Sequence, residues 1–296
     1  MNTKTTIMLG VKIIVLIFLL FVCYSIASMA VGLTDTAQTA DLEGAIVALL
    51  IVCALQTIVL SYLIIRSRWT SWQLVLTIFF VFYGVMTFLS QIETVVFLRY
   101  LVDIVPAEII PKLFMHGAII AALFSPLAVL IHGRMKTAEE SHELNQRIVM
   151  PYAEWVWKLI LIAVIYVAIY VSFGMFVFRP LAGKAFQEYY TGLQLPVWIL
   201  PFQMVRAMIW TALALPVIRM MKGRWWEAGL AVALLFSFLM SSQLLLPNEF
   251  MPDKIRMAHF VEVLSSNFLF GWIVVWLLNR HHGSLRELFR WSEENR

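Results

Sequence analysis

Charge is what this chain has least of. Of its 296 residues, 14% are Asp, Glu, Lys or Arg and 61% are hydrophobic, whereas a soluble domain is about a quarter charged. A larger core does not explain the deficit, because a 300-residue globule still leaves about a quarter of its unfolded surface in water. Soluble enzymes and disordered chains are therefore excluded. The net charge of +4 does not argue for a nucleic-acid partner, since the basic residues punctuate apolar runs instead of forming patches. Cysteine is also scarce. Cys23 and Cys53 lie inside apolar runs, which argues against a disulfide framework or a thiolate metal site. No glycine-rich phosphate loop, CxxC or HExxH pair occurs.

What is present is a series of eight apolar runs, each about 20 residues long or more and able to cross a hydrocarbon layer of about 30 Å. They fall near Ile7–Gly32, Leu42–Ile65, Trp72–Phe97, Ile109–His132, Trp155–Phe178, Leu195–Ile218, Ala228–Leu246 and Met257–Leu278. The expected fold is an all-α integral membrane protein with eight transmembrane helices. Assigned to the two sides of the runs, Lys and Arg divide 15 against 6, with Arg206 left deep inside a run. By the positive-inside rule both termini are expected in the cytoplasm of a multi-pass protein of the inner (cytoplasmic) membrane. The first run, with Ala27-Ser-Met-Ala30 behind a basic start, resembles a signal peptide. Its length and an even span count argue that it is kept.

A repeat is the second expectation. Lys12, Tyr24 and Met29 align with Lys158, Tyr170 and Met175, all at an offset of 146. Arg66-Ser-Arg68-Trp69 then aligns with Lys222-Gly-Arg224-Trp225, Ser90-Gln91 with Ser242-Gln243, and Arg134 with Arg280. The offsets drift only through loops, where insertions are tolerated. This predicts a first four-span half at 1–135, a cytoplasmic linker at 136–151 and a second half at 152–281, followed by an amphipathic tail at 282–296. Four spans per half give the halves the same orientation, so the repeats are parallel and related by a pseudo-twofold axis along the membrane normal. In the linker Thr137-Ala-Glu-Glu140 has the form of a capping box. In the tail Leu285, Leu288 and Phe289 share a helical face.

Polar residues within the runs carry the functional information, because hydrocarbon offers them no partners. Arg206 lies 13 residues from Arg219, about 20 Å along a helix and beyond the midplane. A guanidinium keeps its proton, so it is expected to face the bundle interior and pair with Glu93 or Glu262. Gln203 shares its face at i−3. Gln91, Glu93, Gln203, Gln243, His116, His259 and Glu262 complete one layer at outer-leaflet height, while the inner leaflet looks almost wholly apolar.

The favoured function is binding or transport of a small anionic or lipid-like ligand, at Arg206, Gln203, Gln91, Glu93, Gln243 and Glu262. A structural or accessory membrane subunit without a ligand is the main alternative. A third is an intramembrane metal-dependent hydrolase, in which His116, His259, Glu93 and Glu262 hold Zn or Mn. No cofactor is expected outside that case, and the chain is not expected to be an enzyme. Membrane lipid is the expected partner, along with a second copy or a membrane-complex subunit. The loops Ala185–Gly192 and Pro247–Pro252 read as tight connections.

Overall fold

The computed structural model describes residues 3–33, 42–101, 105–136, 147–191, 193 and 195–288. Among them the chain is helical throughout, and eight helices are long and apolar enough to cross a membrane. They are α1 (Thr3–Val31), α2 (Leu42–Arg66), α3 (Ser71–Leu98), α4 (Ile109–Ile131), α5 (Tyr152–Ala182), α6 (Ile199–Met220), α7 (Trp225–Leu245) and α8 (Asp253–Leu278). Such sequences form helices because a helix satisfies its backbone polar groups within itself. Each coincides with one of the expected runs. The largest difference is in α5, which opens at Tyr152 directly behind Pro151 and runs to Gly183. Gly183 has φ +58, a conformation that costs glycine little and stops the helix. The expected capping box at Thr137–Glu140 lies outside the described residues, as does Phe289.

α1 packs on α2 and α4, and α3 on α4. Likewise α5 packs on α6 and α8, and α7 on α8. Two further pairings, α2 with α7 and α3 with α6, join these groups, and α3 also touches α7. The closest approach is between α7 and α8, where a Cβ on Gly271 would sit 2.9 Å from Ala233 Cα and the Val232 carbonyl oxygen. Small residues allow such contact between helices that gain nothing by hiding apolar surface from lipid. Around it Trp210, Phe236 and Phe270 stack in the core, the first two with ring centroids 4.4 Å apart.

One end of the bundle is basic and strapped. The turn after α2 and the turn after α6 meet in a short antiparallel bridge between Ser67 and Met221. Arg68 N–H donates to the Met220 carbonyl at 2.7 Å, and Lys222 N–H to the Arg66 carbonyl at 2.9 Å. Arg134 donates to the carbonyls of Ser67 and Trp69, and Arg147 to those of Met221 and Gly223. Glu227 pairs with Arg66 and accepts the Arg224 N–H, capping α7. Burial, then Arg134, Arg68 and Arg66, lower the Lys222 ammonium below its ordinary pKa.

The same end corrects the expectation that the buried polar residues gather in a single layer. Lys158, near the start of α5, is fully buried. Its ammonium lies 2.6 Å from Glu154, one turn earlier, and donates to the Arg280 carbonyl at 2.8 Å. Glu154 also pairs with His281 and accepts the His282 N–H at 2.7 Å. The buried polar groups thus form a second set at this end, which ties the start of α5 to the chain leaving α8.

Candidate functional site

Toward the opposite end, α6 carries Arg206 on its inner face and α3 brings Glu93 to meet it. The guanidinium holds the carboxylate with both arms, Nη1 to Oε1 at 3.0 Å and Nη2 to Oε2 at 2.9 Å. Gln203 Oε1 accepts from Nη1 at 2.9 Å, and the Leu89 carbonyl lies 3.4 Å from Nη2. Exposure is uneven across the pair: the Arg206 side chain is 2% exposed and that of Glu93 30%. The cation is fixed in the interior, and the acid stands at its edge. Gln203 is fully buried and its Nε2 has no hydrogen-bond partner; the same holds for Ser90 Oγ and Gln91 Oε1.

α3 is irregular where it delivers the acid. Gly84–Phe88 is π-helical, Leu89–Glu93 is α-helical, and Thr94–Leu101 is π-helical again. Such wide turns are uncommon and concentrate at functional positions. Ser90 and Glu93, at i and i+3, share a face of this stretch, whereas Gln91 and Glu93, at i and i+2, do not.

On α8, Glu262 pairs with His259 Nδ1 at 2.9 Å, and Tyr190 meets His259 Nε2 at 3.1 Å. Phe178 stacks on the imidazole with centroids 3.8 Å apart. Tyr166 and Tyr170 of α5 lie in the combined field of Arg206, Glu93 and Glu262. Of the two acids considered, Glu93 is therefore the direct partner of Arg206, and Glu262 is a neighbour with a histidine of its own.

The loops above this group do more than connect. A short helix, Lys184–Tyr189, places Phe186, Tyr189 and Tyr190 against Phe178, while Tyr189 Oη donates to the Phe250 carbonyl at 2.7 Å. Burial raises the Tyr189 phenol to about 12. The aromatic cluster covers the His259 side of the group.

Gln243 and His116 belong elsewhere. Tyr24 Oη donates to Gln56 Oε1 at 3.0 Å and accepts from Gln243 Nε2 at 2.7 Å, while Gln56 Nε2 donates to Ser242 Oγ at 3.0 Å. His116 bonds Ser28 at 3.0 Å and meets the Tyr24 ring edge-on. This network joins α1, α2, α4 and α7. The four residues considered as metal ligands are thereby divided, with His116 here and His259, Glu262 and Glu93 in the Arg206 group. Among the described residues no three His, Cys, Asp or Glu side chains gather closely enough to share an ion.

Residue counting gives height along a helix but no direction around it, so it merged two groups into one layer. No family model matches the chain, and no curated protein or solved structure is similar to it.

Proposed function

We propose that this is a polytopic membrane protein that binds or transports a small anionic or lipid-like ligand at the Arg206 group. The single observation that carries this reading is the amide of Gln203. It is fully buried beside the guanidinium, and its N–H donors have no partner. An unpartnered buried donor costs about 1–3 kcal/mol, a cost that a bound acceptor removes. Arg206 next to it adds positive charge, and Glu93, 30% exposed, marks the side from which a ligand enters.

The ligand would sit between two halves of the molecule. The neighbour pattern supports parallel repeats: exchanging α1–α4 with α5–α8 turns α1·α2, α1·α4, α3·α4 and α2·α7 into α5·α6, α5·α8, α7·α8 and α6·α3, all of which pack. An antiparallel bridge between the corresponding turns at Ser67 and Met221 is compatible with an axis passing between them. The charge division supports an orientation with the strapped end and both termini on the cytoplasmic side of the inner membrane and the Arg206 group in the outer leaflet. Lipid is the proposed partner: an apolar groove of about 320 Å³, lined by Trp157, Ile160, Leu161, Val164 and Leu285 among others, suits an acyl chain.

The bidentate pair itself favours one second reading, a clamp between α3 and α6 with no ligand. Mass spectrometry of small molecules released from the purified protein separates the two. A species retained by the wild type and absent from Gln203→Leu supports a ligand site. Identical content in both proteins supports the clamp.

A further inference from the structure

The Arg206–Glu93 pair has the geometry of a filled binding site. Two parallel N–H···O bonds of 3.0 and 2.9 Å are how a guanidinium recognises a planar, two-oxygen anion. We propose that Glu93 is an internal stand-in for the ligand, which is itself a small carboxylate that exchanges with Glu93 on Arg206. This rests on the ligand-site reading above and gives that ligand its chemical class.

Three features distinguish a replaceable carboxylate from a permanent one. The receptor half has a holder of its own, because Gln203 Oε1, one turn away on the same helix, accepts from the guanidinium at 2.9 Å without help from Glu93. The occupant half is anchored only by its own helix. Glu93 is 30% exposed against 2% for its partner, and the five-residue stretch that carries it lies between two π-helical segments, where the α-helical ladder is already interrupted. The third feature is donor capacity left over. A carboxylate has about four lone-pair sites, and the Glu93 bonds to Arg206 leave Gln203 Nε2 unpartnered. A free carboxylate seated squarely on the fork can take that donor as well. Ser90 Oγ, on the Glu93 face of α3 and also unpartnered, can serve a hydroxyl or amino group next to the ligand's carboxylate. Glu93, once displaced, moves toward the exposed edge it already borders and exchanges one set of hydrogen bonds for water.

An internal competitor lowers apparent affinity by the fraction of time the site is free. If Glu93 holds Arg206 about nine-tenths of the time, removing its charge tightens carboxylate binding about tenfold. The experiment titrates the full chain in lipid nanodiscs with acetate and with lactate, using chloride and inorganic phosphate as controls. Thermal stability and ¹³C-acetate line broadening are read together. Saturable binding of carboxylates to the wild type is expected. It should be at least about tenfold tighter in Glu93→Gln and at least about tenfold weaker in Arg206→Lys, which cannot form the fork. Glu93→Asp, whose shorter arm holds the fork less well, should shift affinity in the same direction as Glu93→Gln and serves if that variant does not fold. Carboxylate binding no tighter in either variant than in the wild type overturns the stand-in role. Phosphate binding that depends on Gln203 and Arg206, without any carboxylate binding, overturns the carboxylate assignment and leaves a ligand site. Acetate indistinguishable from chloride in all proteins, with no phosphate binding, overturns both and leaves a clamp whose spare donor holds water only.

Discussion

Removing either member of the Arg206–Glu93 pair should destabilise the protein, but by unequal amounts. Glu93→Ala leaves a guanidinium that is 2% exposed, with only Gln203 Oε1 and the Leu89 carbonyl as acceptors. An uncompensated buried charge costs about 3–5 kcal/mol. Arg206→Ala leaves a carboxylate that is 30% exposed, near enough to the edge to recover much of its hydration. Its cost is nearer that of lost charge-assisted hydrogen bonds, about 1.5–3 kcal/mol. For a chain of this size about 1 kcal/mol corresponds to about 2–4 °C, so the two single variants should differ measurably in a melt followed in detergent without added carboxylate. The double variant should be more stable than Glu93→Ala alone, with a coupling energy above about 0.5 kcal/mol. Equal losses from both single variants, or simple additivity in the double variant, would refute the claim that the cation is buried and the acid is at an edge.

Four further outcomes are expected. Lys158→Ala should cost about 1.5–3 kcal/mol, the worth of a lost charge-assisted hydrogen bond, because Glu154 keeps His281 and the His282 N–H, whereas Lys158→Met combined with Glu154→Leu should come close to wild-type stability in the same melt. Burial, then Lys158 and Arg280, lower the pKa of His282 below the usual 6.5; its Nε2 accepts the Arg280 Nε–H at 3.1 Å, so the neutral ring is favoured. A depressed imidazole pKa means that the unfolded chain binds more protons, so this stability is complete above about pH 6.5 and is lost as pH falls below it; His282→Asn should flatten that part of the stability-against-pH curve. Tyr24→Phe should cost about 1–3 kcal/mol, because it strands the amides of Gln56 and Gln243, and Gln243→Leu added to it should be less than additive in a double-mutant melt. Reporter fusions after Gly133 and after the C-terminus should both read cytoplasmic; an external C-terminus would remove the charge-based orientation.

Much of the architecture was legible from residues because length and apolarity decide it. The eight helices required only the width of a bilayer, and their ends followed prolines, glycines and paired tryptophans. Arg206 could be singled out because a cation that cannot lose its proton stood in a run with no acid of its own. Choosing Glu93 over Glu262 could not be done this way, since both lie at suitable heights and only the packing of α3 on α6 decides between them. His259 takes Glu262 out of contention, and that contact is local, three residues apart. The buried pair of Lys158 and Glu154 was missed for the opposite reason, since the groups that complete it arrive from Arg280, His281 and His282, more than 120 residues later in the chain. Of the two π-helical segments of α3, the first opens at Gly84, a glycine that by itself does not tell a wide turn from an ordinary one, and the second has neither glycine nor proline to mark it.

The bridge between Ser67 and Met221 has a mechanical consequence. It joins α2 and α3 to α6 and α7 at one end of the bundle, so any relative motion of these helices pivots there. From Ser71 to Glu93 is 22 residues, a lever arm of about 33 Å. A tilt of about 5° on that arm displaces its tip by about 3 Å, enough to part both bonds of a guanidinium fork while hardly disturbing the fulcrum. The Arg206–Glu93 contact lies far along that arm, so a tilt too small to strain the strap is large at the fork.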